Sequence, residues 1–297
     1  MGELHLGIDL GGTKIEIVAL GDDSSELLRR RIPAPRGDYA STVAAVADLV
    51  RHAERELGQT GSVGIGIPGA ESLASGLIKN ANSTWLIGKP LRRDLQDALE
   101  REIRLANDAN CFALSEAMDG AAAGAEVVFG VILGTGVGGG IVVHGKVLDG
   151  ANAIAGEWGH NRLPGDEPRW PPCYCGRAGC VETFLSGPGL QRDHEHAAGE
   201  IVDPIQMAAR AQAGDGACEA TLSRYEKRLA RALAGVINIL DPEVIVLGGG
   251  LSNLDRLYVS VPKLWGEHVF SDQVATKLLK NLHGDSSGVR GAAWLWS

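Results

Sequence analysis

The chain has 297 residues, 44% hydrophobic and 22% charged, enough for a substantial core in one large domain or two lobes. A formal net charge of −9 argues against a basic nucleic-acid surface, and no apolar run approaches the length of a membrane span. Met1-Gly2-Glu3 lacks the basic and apolar pattern of a secretion signal. A cytoplasmic location is therefore expected, where five cysteines stay reduced and clustering among them points to metal before disulfide.

Residues 4–8 form an apolar run that reads as a buried strand, and residues 15–20 read as a second. Between them lies Asp9-Leu10-Gly11-Gly12-Thr13-Lys14. Strand leads to strand, so this is a tight turn and not the strand-to-helix opening of a dinucleotide fingerprint or a Walker loop. Glycine amides in such a turn can cradle an anion. Thr13 adds a hydroxyl, Lys14 a positive charge, and Asp9 a carboxylate suited to a magnesium ion or its waters. Arg29, Arg30 and Arg31 read as a solvated edge before a turn at Pro33 and Pro35. Asp38 is a helix N-cap. Val43, Val46, Val50, Ala53 and Leu57 then recur at helical spacing, and Gly58 is the stop.

Residues 62–67 are a strand ending in Pro68-Gly69, a candidate cleft rim. Residues 79–85 are rich in amides and hydroxyls and end in Trp85, a mixture that suits a sugar or a plain polar loop. Residues 91–102 read as a helix and 103–106 as a strand. At Asn107-Asp108-Ala109-Asn110 the strand gives way to a helix reaching about Met118. Asp108 is either an N-cap or a general base projecting into a cleft beside Asn107. Residues 127–133 and 141–143 repeat the strand pair, joined by Gly134-Thr135-Gly136-Val137-Gly138-Gly139-Gly140. Two such hairpins suggest an internal duplication, with the turns holding the two ends of a polyphosphate across a cleft.

Gly156-Glu157-Trp158-Gly159-His160 follows, then a proline-rich loop and Cys173-Tyr174-Cys175-Gly176-Arg177-Ala178-Gly179-Cys180-Val181-Glu182. Cys173, Cys175 and Cys180 with His160 upstream fit a closed tetrahedral zinc site, structural and not catalytic. Cys111 and Cys218 read as core thiols. A long helix ends at Asp241-Pro242, and residues 243–247 form a strand opening into Gly248-Gly249-Gly250. That third glycine loop could accept the face of a nucleobase or its ribose. A polar turn, His283 to Gly288, precedes a closing helix over 289–296.

The chain resembles a bacterial sugar kinase of the ROK family (repressors, open reading frames and kinases). The resemblance covers essentially the whole chain. It rests on residues 9–14, on Asn107-Asp108-x-Asn110, on Gly156-Glu157-x-Gly-His160 and on Cys175-Gly-x-x-Gly-Cys180-x-Glu182. Residues 79–86 and 283–296 look like the fructokinase/mannokinase branch. The resemblance implies a two-lobed α/β fold of the actin/hexokinase, ribonuclease H-like type, duplicated, with an interlobe cleft. The expected lobes are residues 1–118 with 284–297, and 119–283. It implies Asp108 as catalytic base, and Asn82, Asn107, Glu157, His160 and Glu182 at the sugar. His160, Cys173, Cys175 and Cys180 match zinc ligands. The phosphates of MgATP would meet Asp9, Gly11, Gly12, Thr13, Lys14, Gly134, Thr135, Gly136 and Gly138, and adenosine would meet Gly248, Gly249 and Gly250. The expected reaction is ATP-dependent phosphorylation of the terminal hydroxyl of a free hexose, D-fructose first and mannose next. Glucose or N-acetylglucosamine is the alternative within the family. A sugar-responsive regulator is the distant one, since family repressors carry a DNA-binding segment ahead of the first hairpin. A homodimer is the expected assembly, with neither nucleic acid nor membrane as partner.

Overall fold

The computed structural model describes residues 2–297 other than 82, 285 and 286. Its first half runs β1 (His5–Leu10), β2 (Lys14–Leu20), β3 (Glu26–Pro33), α1 (Tyr39–Leu57), β4 (Ser62–Ile67), β5 (Ala70–Glu71), β6 (Ile78–Lys79), α2 (Leu91–Leu99), β7 (Arg104–Asn107) and α3 (Asp108–Met118). Its second half runs β8 (Val127–Leu133), β9 (Val137–Val143), β10 (Lys146–Val147), α4 (Val181–Leu185), α5 (Gly187–Ala198), α6 (Pro204–Gln212), α7 (Gly216–Leu240), β11 (Val244–Gly248), α8 (Leu257–Leu264), β12 (Lys277–Lys280) and α9 (Ser287–Ala293).

Two five-stranded sheets carry the same topology. Their strand orders are β3-β2-β1-β4-β7 and β10-β9-β8-β11-β12. In each, an antiparallel meander supplies three strands, and two strands add in parallel to the first. The duplication expected from the two glycine hairpins is therefore present in the sheets themselves, and the fold is the expected duplicated α/β architecture.

Apolar side chains of β1, β2 and β4 pack with α1 and α2 into one core, and those of β8 and β11 pack with α4 to α8 into another. A third cluster lies between the sheets. It joins Val18 and Leu20 of β2, Phe112 and Ala113 of α3, Val128 of β8, Val246 of β11, and Val289 and Ala293 of α9. Helices α3 and α9 are thus the layer shared by both halves. Their approach requires small residues: a side chain on Gly64 would collide with the Ala292 carbonyl, and one on Gly291 with the Cys111 carbonyl.

Helix α1 has the expected limits. Asp38 accepts the Ser41 N–H at 3.0 Å, and Gly58 closes the helix with φ 66°. Other elements differ from expectation. Arg29, Arg30 and Arg31, read as a solvated edge, lie in β3, the edge strand of the first sheet, and two of them have a buried partner that the sequence did not show. Arg29 Nη1 donates to Glu16 Oε1 at 2.7 Å, and Arg31 Nη2 to Glu16 Oε2 at 2.6 Å. Glu16 is buried, so these guanidiniums neutralise a carboxylate that would otherwise cost several kcal/mol, of order 3–5, to leave unpaired. Helix α2 stops at Leu99 and not at residue 102, because Glu100 adopts the left-handed conformation with φ 54°. Trp85 is turned to the first core, its indole N–H donating to Thr42 Oγ1 at 3.2 Å, so it is not free to face a sugar. The closing helix begins at Ser287 and tightens into a 3₁₀ turn over Trp294–Trp296.

Candidate active site

The first glycine turn joins β1 to β2. Gly11 N–H donates to the Lys14 carbonyl at 3.0 Å, and Arg36 Nε donates to the Gly12 carbonyl at 3.0 Å. Ser83 Oγ lies 3.3 Å from where a side chain on Gly12 would begin, so the segment after β6 abuts this turn. Lys14 Nζ leans toward Glu16 Oε2 at 3.7 Å. Asp9 stands at the carboxyl end of β1. Burial raises its pKa, with Lys14 opposing and Glu16 adding to the rise. Asn82, one of the expected sugar contacts, lies outside the described residues.

The second turn joins β8 to β9, and three elements buttress it. Gly134 N–H donates to the Gly136 carbonyl at 3.0 Å. Gly187 N–H, opening α5, donates to the Gly134 carbonyl at 2.8 Å. Glu182 Oε2 accepts the Val137 N–H at 2.9 Å. Gly249, with φ 78°, sits against the backbone of Leu133, the last residue of β8 before the second turn. The start of α5 was missed in the sequence. Its signal was there: Ser186 caps the helix by accepting the Gly189 N–H at 3.1 Å, and Pro188 follows in the first turn.

Asp108 is not the N-cap of α3. Asn107 is, accepting the Ala109 N–H at 2.9 Å while its amide donates to the Gly69 carbonyl at 3.1 Å. Asn107 thereby ties the helix start to the Pro68-Gly69 rim. Asp108, freed of capping, accepts the Ala109 N–H at 2.8 Å through Oδ1. Its side chain reaches solvent, but protein crowds around the carboxylate. Desolvation therefore pushes its pKa up to about 6, against the Ala109 N–H and with help from Asp9 and Glu157. Asp9, Asp108 and Glu157 thus converge electrostatically.

His160 closes the short 3₁₀ turn Trp158–His160, and Cys173, Cys175 and Cys180 come to it from the following loop. One ligand atom from each of the four lies within 4.8 Å of all the others. Cys173 Sγ is 3.6 Å from His160 Nδ1, and Cys175 Sγ is 3.6 Å from Cys180 Sγ. A tetrahedron with zinc–ligand bonds near 2.0–2.3 Å has edges of about 3.3–3.8 Å, so the donor set and its spacing fit zinc. The other ring nitrogen, Nε2, lies 3.0 Å from the Tyr174 hydroxyl. The phenol is pushed up by desolvation, then by Glu182, Cys173 and Glu157.

The ROK family description matches residues 5–297. The chain belongs to the ROK family. It is 40% identical over 98% of each chain to an N-acetyl-D-glucosamine kinase of Pectobacterium atrosepticum. Among solved structures it resembles a ROK hexokinase from Thermus thermophilus, with TM-score 0.88, 33% identity, and 98% and 97% of the two chains covered. It also resembles a ROK glucokinase from Streptomyces griseus, solved with glucose and AMPPNP, with TM-score 0.76, 25% identity and 98% of each chain covered. This ROK protein is thus a sugar kinase. The fructokinase branch expected from residues 79–86 and 283–296 finds no counterpart in the relative's activity, which matches the alternative acceptor. A cavity of about 1180 Å³ is lined by Trp170 and Phe184 and by α5 and α7. None of Asp9, Asp108 or the glycine turns borders it. No helix among the described residues is long and apolar enough to cross a membrane.

Proposed function

We propose that this kinase transfers the γ-phosphoryl group of ATP to the terminal 6-hydroxyl of a free hexose, with N-acetyl-D-glucosamine as the first acceptor to consider. The carrying observation is Asp108: released from capping by Asn107, reaching solvent, and poised near pKa 6. Asp108 takes the proton of the attacking hydroxyl, and that pKa is well matched to general-base work near neutral pH. Asn107, Glu157, His160 and Glu182, with Asn82, hold the sugar. The amides of Gly11, Gly12, Gly134, Thr135, Gly136 and Gly138, with Thr13 and Lys14, hold the phosphates. Gly248, Gly249 and Gly250 hold adenosine. Asp9 would hold magnesium, whose part is to neutralise charge on the phosphates; the acidic surplus of Asp9, Asp108 and Glu157 favours a cation there. His160, Cys173, Cys175 and Cys180 would hold structural zinc. Positioning and charge stabilisation supply most of such catalysis.

The acceptor reading rests on the relative at 40% identity. Fructose or mannose is the second reading. It is favoured by the branch resemblance of residues 79–86 and 283–296 and by the phenol of Tyr174 beside His160 Nε2. We assign the lobes to residues 1–118 with 284–297 and to 119–283. A cytoplasmic location suits the need for ATP and for reduced thiols. A homodimer is supported by Ile239 and Phe270, exposed together at the end of α7, where Phe270 N–H donates to Asn238 Oδ1 at 2.8 Å. A coupled ADP-release assay with N-acetylglucosamine, fructose, mannose and glucose tests the reading through kcat/KM. Preference for N-acetylglucosamine is expected. Preference for fructose or mannose moves the assignment to the second reading, and turnover with none of them refutes both.

A further inference from the structure

We propose that Tyr174 is the specificity-determining residue for the acceptor, facing the end of the sugar that carries the C1 and C2 substituents. This deepens the sugar-kinase reading and rests on it. Tyr174 is 83% exposed, although aromatic side chains are ordinarily placed by burial. Packing does not explain where it stands. It is flanked in sequence by two cluster cysteines, Cys173 and Cys175, so its backbone is anchored at both sides. Its ring meets the His160 ring edge-on, at 5.1 Å between centroids and 87° between planes. Its hydroxyl lies 3.0 Å from His160 Nε2.

His160 Nδ1 faces Cys173, so the cluster occupies that nitrogen. An imidazole that ligates a metal through one nitrogen keeps its proton on the other. His160 Nε2 is then an N–H donor aimed away from the cluster, and the Tyr174 hydroxyl is the oxygen that accepts it. A sugar hydroxyl offers the same chemistry. The phenol therefore stands where a substrate oxygen would be received, or at its edge.

Orientation follows from the carboxylates. Glu157 opens the 3₁₀ turn that His160 closes, so its carboxylate and the His160 ring share one short turn, and it acts electrostatically on Asp108. A hexose whose terminal hydroxyl is at Asp108 extends past Glu157 and brings its opposite end to His160 and Tyr174. That end is where glucose, mannose, fructose and N-acetylglucosamine differ. A compact hydroxyl at C2 can share the Tyr174–His160 hydrogen bond. A 2-acetamido group needs the phenol to give way. Tyr174 thus sets the ratio between bulky and compact acceptors, whichever of them the wild-type protein prefers.

The test compares zinc-replete wild type, Tyr174→Phe and Tyr174→Ala, with zinc content and Tm measured on each. For each protein, kcat/KM is taken for N-acetylglucosamine and for mannose, and binding of both sugars is measured by calorimetry. Tyr174→Ala should raise the ratio of N-acetylglucosamine to mannose by about tenfold or more, the scale of a reshaped pocket contact. Tyr174→Phe, which keeps the ring, should raise KM for mannose severalfold with kcat nearly held. Should Tyr174→Ala lose zinc, Tyr174→Phe decides alone. An unchanged ratio and unchanged KM in folded variants would overturn the proposal and leave the kinase reading standing. A wild type that binds sugars without phosphorylating them leaves the calorimetric ratio as the deciding number. A wild type that neither binds nor phosphorylates any of them overturns both.

Discussion

The two glycine turns have the same place in the same sheet topology, yet they are supported in different ways. The first rests on ionic contacts: Glu16, buried between Arg29, Arg31 and Lys14, with Arg36 on the Gly12 carbonyl. The second rests on packing and on a loop: α5 against Gly134, Gly249 against Leu133, and Glu182 from beyond the cysteine cluster on Val137. Duplication copied the sheet and the turn, because strand pairing and a glycine backbone specify both locally. The supports diverged, because they come from segments that the two halves do not share. One turn should therefore depend on charge pairing and the other on the order of the cysteine loop.

The largest expected effect lies at Asp108. Asp108→Asn should cut kcat by about 10²–10⁴, the usual scale for loss of a general base. Tm should hold, because Asn107 does the capping. Single-turnover kinetics and calorimetry check it, and near-normal turnover in a folded variant would refute the role of Asp108.

The second turn is tested by Cys175→Ser. Metal analysis should show zinc lost, Tm should fall, and nucleotide binding should weaken as Glu182 loses its register against Val137. Zinc content unchanged from wild type would refute the metal site.

The first turn is tested by Glu16→Ala, which leaves Arg29 and Arg31 without their shared acceptor. A loss of about 1–2 kcal/mol in urea unfolding is expected, below the roughly 3–5 kcal/mol for stranding a buried charge, because the arginines left behind reach solvent and Arg29 keeps Glu26. Zinc content should not change. If Glu16→Ala and Cys175→Ser were equally damaging to zinc retention, the two supports would not be independent.

The smallest effect is set by pH. Asp108 must be ionised to accept a proton, and its pKa is raised to about 6. Protonation thus removes the active form below that value, so kcat/KM should fall about tenfold per pH unit on the acid limb and level off above it. An acid limb near the ordinary carboxylate value of about 4 would show that the desolvation of Asp108 is absent in solution.

Much of the site was legible because its signals are local. Strand–turn–strand periodicity marks both hairpins, and Asp38 and Gly58 bound α1. The C-x-C-x4-C spacing brings Cys173, Cys175 and Cys180 together with His160. What was misread or left open depends on partners distant in sequence. Arg29 to Arg31 read as a solvated edge, which β3 is; only its pairing with β2 shows that Glu16 lies beneath Arg29 and Arg31. Trp85 looks like a sugar platform until Thr42, on another element, takes its N–H. For Asp108 the sequence left cap and general base both open, and only the backbone at the β7–α3 junction gives the capping to Asn107.

The sequence by itself determined the hairpins, the limits of α1, the cysteine cluster and the residue types of the site. Each follows from backbone preference, periodicity or ligand spacing within a short window. Tertiary structure decided the rest: the order of strands in each sheet, the shared layer of α3 and α9, the burial of Glu16, and the approach of Gly249 to Leu133. It also decided that the Tyr174 hydroxyl meets Nε2 of His160. These depend on which apolar surfaces and which charges find one another across the fold, and no local pattern of residues encodes that pairing.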